Sequence, residues 1–389
     1  MSEKTINKKK ENTFIRIILK LVGNEKWQHI TIPILLILLS FIAASIIILI
    51  LGKNPLMAIY NLFQGAGIFP KPSYAAHKSM LTDFLSLLNY MTPMIFASLA
   101  VAIALKGGLF NIGVSGQMLL AGFIATITIG YSNLNWGLAK PLVLIVGMVA
   151  GGILGGLIGF LKYKFNINEV VSSIMFNYIV EYVLSFFIHS YYIDPVSRQS
   201  RYISDASRLT LVNVELFGLK MDISIGFIIA IILAVVLKRF FDKSRVGFEI
   251  KAVGANPKGA KYAGINVGKT IILTMTLSGV FAGLAGVTYY LGYFASIQPK
   301  TLASVGFDGV AVALLGNTNP YGIIASSFLI SIIDRGSNYM NSMAGVRKEI
   351  ASVITGMILL FSACSAYIQH KIRMKKDKLE HVAGKEHEE

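Results

Sequence analysis

Five polar side chains lie in or beside segments that are otherwise apolar, and their chemical types are those that bind polar molecules. Amides donate and accept hydrogen bonds, and carboxyls can carry charge. Lipid satisfies neither group, so inside a membrane such side chains bind one another or line a polar path. The five are Asn111, Gln117, Asn177, Glu181 and Asp308. We therefore expect these five to contact a polar solute that crosses the membrane.

Catalytic chemistry is not indicated by the sequence. It contains no HExxH pair, no GxSxG elbow and no paired acids at the spacing of a general acid and base. The single cysteine, Cys364, excludes an intramolecular disulfide and a cysteine zinc cage. The sequence thus predicts a protein that is not an enzyme and has neither a cofactor nor a metal site.

One segment matches a relaxed phosphate-loop pattern, AGINVGKT at 263–270. A true phosphate loop follows a buried strand and opens a helix of a soluble nucleotide-binding domain. This one opens an apolar segment instead. We therefore assign Lys269 to the end of a membrane span and do not expect ATP to bind here.

The elements that position these residues are membrane spans. Of 389 residues 54% are hydrophobic and 14% charged, whereas soluble domains carry about 25% charged residues. The sequence predicts an all-α polytopic membrane protein of about ten spans. A turn at 317–320 separates two short apolar runs, 306–316 and 321–334, which either span separately or form a re-entrant hairpin. The apolar runs are 30–51, 88–105, 110–131, 141–161, 170–190, 222–237, 271–290, 306–316, 321–334 and 350–368.

Basic residues set the predicted orientation. With the N-terminus in the cytoplasm, 24 of the 36 lysines and arginines fall on the cytoplasmic side. This distribution explains the net charge of +16 without nucleic-acid binding. It predicts a basic N-terminal segment, 1–29, with an amphipathic helix at 12–23 on the membrane lipid. A transmembrane domain, 30–369, and a cytoplasmic tail, 370–389, follow.

Glycines predict close packing of two spans. Gly147, Gly151, Gly155 and Gly159 recur every four residues, which leaves one helix face bare. A smaller set, which includes Gly279 and Gly283, lies in the seventh span. The bare face serves either static packing or sliding between helices.

The stretch 106–117 combines four glycines with two amides in an apolar context. Gly at this density weakens a helix, and broken helices often place free backbone groups beside a transported solute. The stretch is either a broken helix that faces a polar cavity or a cytoplasmic turn before an ordinary span.

Loop 238–270 is the longest predicted cytoplasmic loop and carries eight basic residues. Its middle predicts a short helix, since Asn256 can cap it, Pro257 suits its first turn and Gly264 can end it. Such a helix suits a groove on another protein. The alternative is a basic loop on anionic lipid.

Four stretches together resemble permease subunits of bacterial ABC importers for branched-chain amino acids, simple sugars and nucleosides. The resemblance covers roughly 85–365, and 168–178 is most similar to the nucleoside branch. The stretches are GLFNIG at 108–113, NEVVSSIMFNY at 168–178, GFEIKAVGANP at 247–257 and ALLG at 313–316.

The resemblance implies the membrane subunit of a nucleoside importer, in the bacterial cell membrane with both termini cytoplasmic. It implies three protein partners: a separate ATPase subunit, a second permease that is a different chain, and a substrate-binding lipoprotein. The residues implied to dock the ATPase are Gly254, Asn256, Pro257, Ala260, Ala263 and Gly264.

Two alternatives remain open from the sequence. A ribose-type sugar permease differs mainly in the stretch 168–178. An ion-coupled secondary transporter is less favoured, because intramembrane acids are few: Glu181, Asp308 and Asp334.

Overall fold

The fold is helical, as predicted. A computed structural model describes residues 28–363 apart from residue 217, and this part contains thirteen α-helices and one β-hairpin. The predicted amphipathic helix at 12–23, Cys364 and the tail 370–389 lie outside the described residues. Each of the ten predicted apolar runs contains helix within the described part.

The helices follow the chain in this order: α1 Gln28–Ile50, α2 Pro55–Gly65, α3 Met80–Lys106, α4 Val114–Ala125, α5 Trp136–Phe165, α6 Glu169–Phe187, α7 Ile225–Lys243, α8 Arg245–Ala255, α9 Pro257–Tyr262, α10 Val267–Thr288, α11 Ser304–Leu315, α12 Pro320–Ala344 and α13 Glu349–Ala363. The described residues form two compact units, 28–55 with 352–363 and 56–351. All groups discussed below belong to the larger unit.

Fewer helices qualify as spans by length and composition than the ten predicted. Four of the described helices do so: α3, α5, α6 and α10. For α6 and α10 the span includes the helical turn that follows directly, so these spans are Glu169–Tyr192 and Val267–Phe294. A fifth is counted if α1 and α2 are taken as one span. Helices α4, α11 and α13 are apolar but shorter, while α7 has charged residues in its last turns.

The two ends of the larger unit differ in structure. At one end, here the loop end, α8 packs on the end of α3, where Gly254 lies against Gly108, and the Tyr163 ring of α5 lies against Gly268. At the other, the hairpin end, strands β1 (Thr210–Leu216) and β2 (Leu219–Ser224) form an antiparallel pair. The sequence analysis did not predict these strands.

Three helices finish in a π-helical turn at the hairpin end. The turns are Thr126–Gly130 after α4, Ile188–Tyr192 after α6 and Tyr289–Phe294 after α10. Backbone N–H groups of the loops form hydrogen bonds with two of these turns. Ser204 N–H donates to the Gly130 carbonyl (2.8 Å), and Leu209 N–H donates to the Leu291 carbonyl (3.0 Å).

The predicted glycine packing is confirmed. Helices α5 and α10 touch backbone to backbone, with Gly151 between Gly279 and Gly283, and Gly155 against Gly279. A Cβ atom at Gly151 would lie 2.7 Å from the backbone nitrogen of Gly283. The glycines therefore act as a close-packed seam in this structure, here called the glycine seam.

The predicted turn at 317–320 is also confirmed. Asn319 accepts a hydrogen bond from Tyr321 N–H (3.2 Å), and Pro320 is the first residue of α12. Helices α11 and α12 pair beyond the turn, where the Ser326 hydroxyl donates to the Val312 carbonyl (2.9 Å). Helix α12 continues to Ala344, ten residues past the predicted run.

Candidate functional site

The helix is interrupted within 106–117, as both alternatives for this stretch require. Helix α3 ends at Lys106 and α4 begins at Val114. Gly108 has a positive φ of 69° and packs against Gly254, where a Cβ atom would lie 2.9 Å from the Gly254 carbonyl oxygen. Glycine is therefore needed at 108 for both backbone conformation and space.

Two predicted amides lie together beside the break. Asn111 donates from Nδ2 to Gln117 Oε1 (3.0 Å) and to Ser278 Oγ of α10 (2.8 Å). Its Oδ1 accepts from Gly113 N–H (2.9 Å). Ser278 in turn donates to the Ala100 carbonyl of α3 (2.7 Å). All three polar side chains have no exposed surface, so they join α3, α4 and α10 instead of facing an open cavity.

Asn177 of α6 forms hydrogen bonds with the backbone of the interrupted segment between α3 and α4 and with the first turn of α4. Its Oδ1 accepts from Gly116 N–H (2.8 Å), and its Nδ2 donates to the Ile112 carbonyl (3.0 Å). The side chain is 2% exposed. Both backbone groups lie at the break, where a continuous helix would have satisfied them. Asn177 thus replaces hydrogen bonds that the broken helix lacks.

A small cavity lies at the hairpin end, beside the π-helical turn of α10. Its volume is about 70 Å³, whereas pockets for small ligands occupy roughly 300 to 1,000 Å³. Its walls are polar and aromatic, and Glu181 lies close enough to Tyr290 to interact with it electrostatically. The cavity is therefore too small for a metabolite in this conformation. Its lining includes Gln199, Tyr289, Tyr290, Ser296, Gln298 and Thr301.

A second group of residues, here called the charged cluster, consists of Tyr90, Tyr293, Asp308, Asp334 and Arg335. All five are half-buried. Asp334 has the hydroxyl of Tyr90 as a hydrogen-bond partner and interacts electrostatically with Asp308. Arg335 donates from Nη1 to the Tyr293 hydroxyl (2.8 Å), and the Tyr90 and Tyr293 rings meet edge to face at 5.3 Å. The cluster joins α3, α10, α11 and α12.

Tyr289 is a neighbour of both the cavity and the charged cluster. It lines the cavity, and it interacts electrostatically with Tyr90 and Asp308 of the cluster. Two of the predicted site residues thus interact with adjacent tyrosines, Glu181 with Tyr290 and Asp308 with Tyr289.

The coupling segment, residues 245–264, has the predicted local structure. Asn256 accepts from Gly259 N–H (3.1 Å), Pro257 begins α9, and Gly264 follows the helix with a φ of 81°. Ala260 is buried, whereas Ala263 is exposed. Two aromatic side chains of this segment are also exposed, Phe248 at 62% and Tyr262 at 94%.

Comparison with known proteins decides the family. Residues 84–363 match the family described as branched-chain amino acid transport system / permease component. The chain belongs to this family of transport permeases. The permease is 35% identical over 354 residues to the nucleoside ABC transporter permease protein NupB of Lactococcus lactis, covering 89% of this chain and 94% of the relative. No solved structure matches it.

Two further relatives are similar over most of their length. The guanosine ABC transporter permease protein NupP of Bacillus subtilis is 33% identical over 362 residues, which is 91% of the permease and 99% of the relative. The nucleoside ABC transporter permease protein NupC of Lactococcus lactis is 24% identical over 306 residues, 77% of the permease and 96% of the relative.

The sequence analysis missed several polar residues of the permease at the hairpin end. Tyr289 and Tyr290 belong to an aromatic run, YYLGYF at 289–294. This run lies beside a polar loop, and that combination could have identified the two tyrosines. Arg335 follows directly after an apolar run that ends in Asp334. Gln199 and Gln298 lie in loops that carry no recognisable motif, and no sequence signal identified them.

Removal of the Asn177 side chain is expected to destabilise the permease. Asn177→Ala leaves Gly116 N–H and the Ile112 carbonyl without their partner, and each unsatisfied buried group costs about 1–3 kcal/mol. We expect a lower unfolding temperature in detergent, and Asn111→Ala should act in the same direction. The control is Asn133→Ala, at an exposed position. If Asn177→Ala unfolds at the control's temperature, the anchoring role assigned to Asn177 is wrong.

Proposed function

We propose that the permease is the membrane subunit of an ATP-driven nucleoside importer. The observation that carries the proposal is the near full-length similarity to relatives named as nucleoside and guanosine permeases. ATP hydrolysis then occurs on a separate subunit, and the permease itself performs no covalent chemistry. The mechanism is alternating access, in which the solute path opens to one side of the membrane at a time.

The ATPase docks on the coupling segment in this proposal. The exposed rings of Phe248 and Tyr262 supply apolar area for a partner groove, and the short capped helix α9 presents a rigid shape. Movement of the segment passes to the break through the contact of Gly254 with Gly108. The path from Gly108 continues along the chain to Asn111, which bonds Ser278 of α10.

The remaining partners follow from the same function. Two different nucleoside permeases, NupB and NupC, come from one organism, which supports a second and different permease chain beside this one. A substrate-binding lipoprotein delivers the nucleoside at the hairpin end. The positive-inside rule supports a cytoplasmic loop end, with both termini cytoplasmic.

Uptake measurements test the function. Labelled uridine and guanosine are offered to cells with and without the gene, while the ion gradient is collapsed and ATP is maintained. We expect uptake that requires the gene, survives the collapse and yields to excess adenosine but not to ribose. Uptake that ribose blocks would favour a sugar permease, and uptake lost with the gradient would favour an ion-coupled carrier.

The cap of α9 is expected to matter for transport. Asn256→Ala removes the hydrogen bond to Gly259 N–H, and losing such a cap costs about 1 kcal/mol. Because α9 has only six residues, this loss unwinds its first turn and disorders the proposed docking surface. We therefore expect uptake to fall severalfold while the amount of permease in the membrane stays unchanged. Pro257→Gly should act in the same direction.

The matched control for this cap is Asn319→Ala, which removes the equivalent cap of α12. Uptake per molecule should stay near the wild-type value in this variant. Equal uptake by Asn256→Ala and Asn319→Ala would show that α9 has no special part in coupling.

A further inference from the structure

The charged cluster contains charges without ionic partners. Among residues 28–363 other than 217, no salt bridge joins Arg335, Asp308 or Asp334 to an opposite charge. Half-buried charges inside a membrane protein do not face lipid, because burial in hydrocarbon is costly. This face of α11 and α12 therefore faces either the interior of the helix bundle or a water-filled cavity.

The unused hydrogen-bonding capacity of the cluster can be counted. Arg335 uses two of its five donors, on the Tyr293 hydroxyl (2.8 Å) and the Ser86 hydroxyl (2.7 Å). Asp308 has Ser304 as a partner, whereas the buried Oδ2 atom of Asp334 has none. The Ser331 hydroxyl, one turn before Asp334, is fully buried and also has none. A ligand here must bring donors to Asp334 and acceptors to Arg335.

We propose that the charged cluster binds the base of a 6-oxopurine nucleoside, with Asp334 accepting from its N–H groups and Arg335 donating to its oxygen. The inference rests on the proposed nucleoside import. Guanine carries two adjacent donors, N1–H and the 2-amino group, beside two adjacent acceptors, O6 and N7. Arginine pairs with O6 and N7 through two parallel hydrogen bonds, and a carboxylate complements the adjacent donor pair.

Other bases fit this arrangement less well. Adenine carries an amino donor at the position where Arg335 requires an acceptor. Uracil offers one N–H between two carbonyls, so it can give Asp334 a single hydrogen bond. Hypoxanthine keeps O6, N7 and N1–H but lacks the 2-amino group. The expected order is guanosine first, then inosine, with uridine and adenosine weaker.

Access to the cluster runs past Tyr289. Tyr289 lines the small cavity together with Phe294, which is 47% exposed and packs on both Tyr289 (4.9 Å) and Tyr293 (4.8 Å). A displaced π-helical turn, Tyr289–Phe294, would merge the cavity with the cluster. The exposed ring of Phe294 then offers a face on which a purine can stack.

Competition between matched nucleosides tests the proposal in cells that carry the complete importer. Inosine removes the 2-amino donor, and 7-deazaguanosine removes the N7 acceptor. Against labelled guanosine, each should compete about tenfold less well than unlabelled guanosine in the wild type. Asp334→Asn should erase the difference between guanosine and inosine. Arg335→Lys, which keeps the charge but lacks the planar fork, should erase the difference between guanosine and 7-deazaguanosine.

The control is Asp242→Asn, a carboxylate-to-amide change at an exposed position in the last turn of α7, which should keep both differences. Adenosine that competes as well as guanosine in the wild type would overturn the proposal without any variant. So would an equal loss of every nucleoside in Asp334→Asn and Arg335→Lys, since that pattern marks a structural role. If no nucleoside enters wild-type cells in a gene-dependent way, the importer function itself is wrong.

Discussion

Gly151→Ala is expected to lower the stability of the permease by about 3 kcal/mol or more. The added methyl group overlaps the Gly279 carbonyl oxygen and lies 2.7 Å from the Gly283 nitrogen. Overpacking a core typically costs about 1–3 kcal/mol, because neighbouring side chains give way. Here the neighbours are backbone atoms of α10, which cannot rotate aside, so α5 and α10 must separate along the glycine seam.

The measurement is the unfolding temperature in detergent, together with the amount of protein in the membrane. Gly137→Ala is the matched control, because Gly137 also lies in α5 and an added Cβ there has no atom within 4 Å. Gly137→Ala should remain at wild-type stability. Equal unfolding temperatures for the two variants would show that α5 and α10 are further apart than described here.

Gly254→Trp is expected to reduce nucleoside uptake at least tenfold while ATP hydrolysis continues. Even a Cβ atom at this position overlaps the Lys106 carbonyl oxygen and lies 2.8 Å from Gly107. An indole therefore forces α8 away from the end of α3. In the proposed function the exposed docking surface of the coupling segment, at Phe248 and Tyr262, is separate from this contact. The ATPase should therefore still bind, but its movement should no longer reach the break at 107–113.

Purified importer in proteoliposomes allows the effect on nucleoside uptake to be measured separately from the effect on ATP hydrolysis. ATP hydrolysis and nucleoside uptake are measured on the same preparation, with Gly137→Ala as the control and with the amount of permease determined for each variant. Hydrolysis without uptake is the expected result. Normal uptake by Gly254→Trp would exclude this contact as the route of coupling.

Features that depend on neighbouring residues were predictable from the sequence. The four-residue glycine spacing predicted the seam, and the order of Asn256, Pro257 and Gly264 predicted α9, because caps and bare helix faces need only local geometry. The β-hairpin also had a local signal that was not used. Polar Asn213 and Glu215 alternate with apolar residues, and Gly218 follows at the turn.

Features that join distant parts of the chain were not predictable. The charged cluster draws on α3, α10, α11 and α12, and no period in the sequence relates Tyr90 to Asp334. Polarity did identify Asn111, Gln117 and Asn177, but it could not distinguish bonds to a solute from bonds between helices. The end of α12 was missed for a different reason, because Asp334 and Arg335 interrupt the apolar run on which the boundary was based.

The three π-helical turns divide the permease into mechanically different halves. A π-turn is wider than an α-turn and often marks a functional site within a helix. All three lie at the hairpin end, whereas the glycine seam fixes α5 against α10 in the middle of the bundle. Helix tips at the hairpin end can therefore rewind by a fraction of a turn while the seam stays intact. In the proposed transport cycle, opening at the hairpin end then requires no loss of packing along the glycine seam.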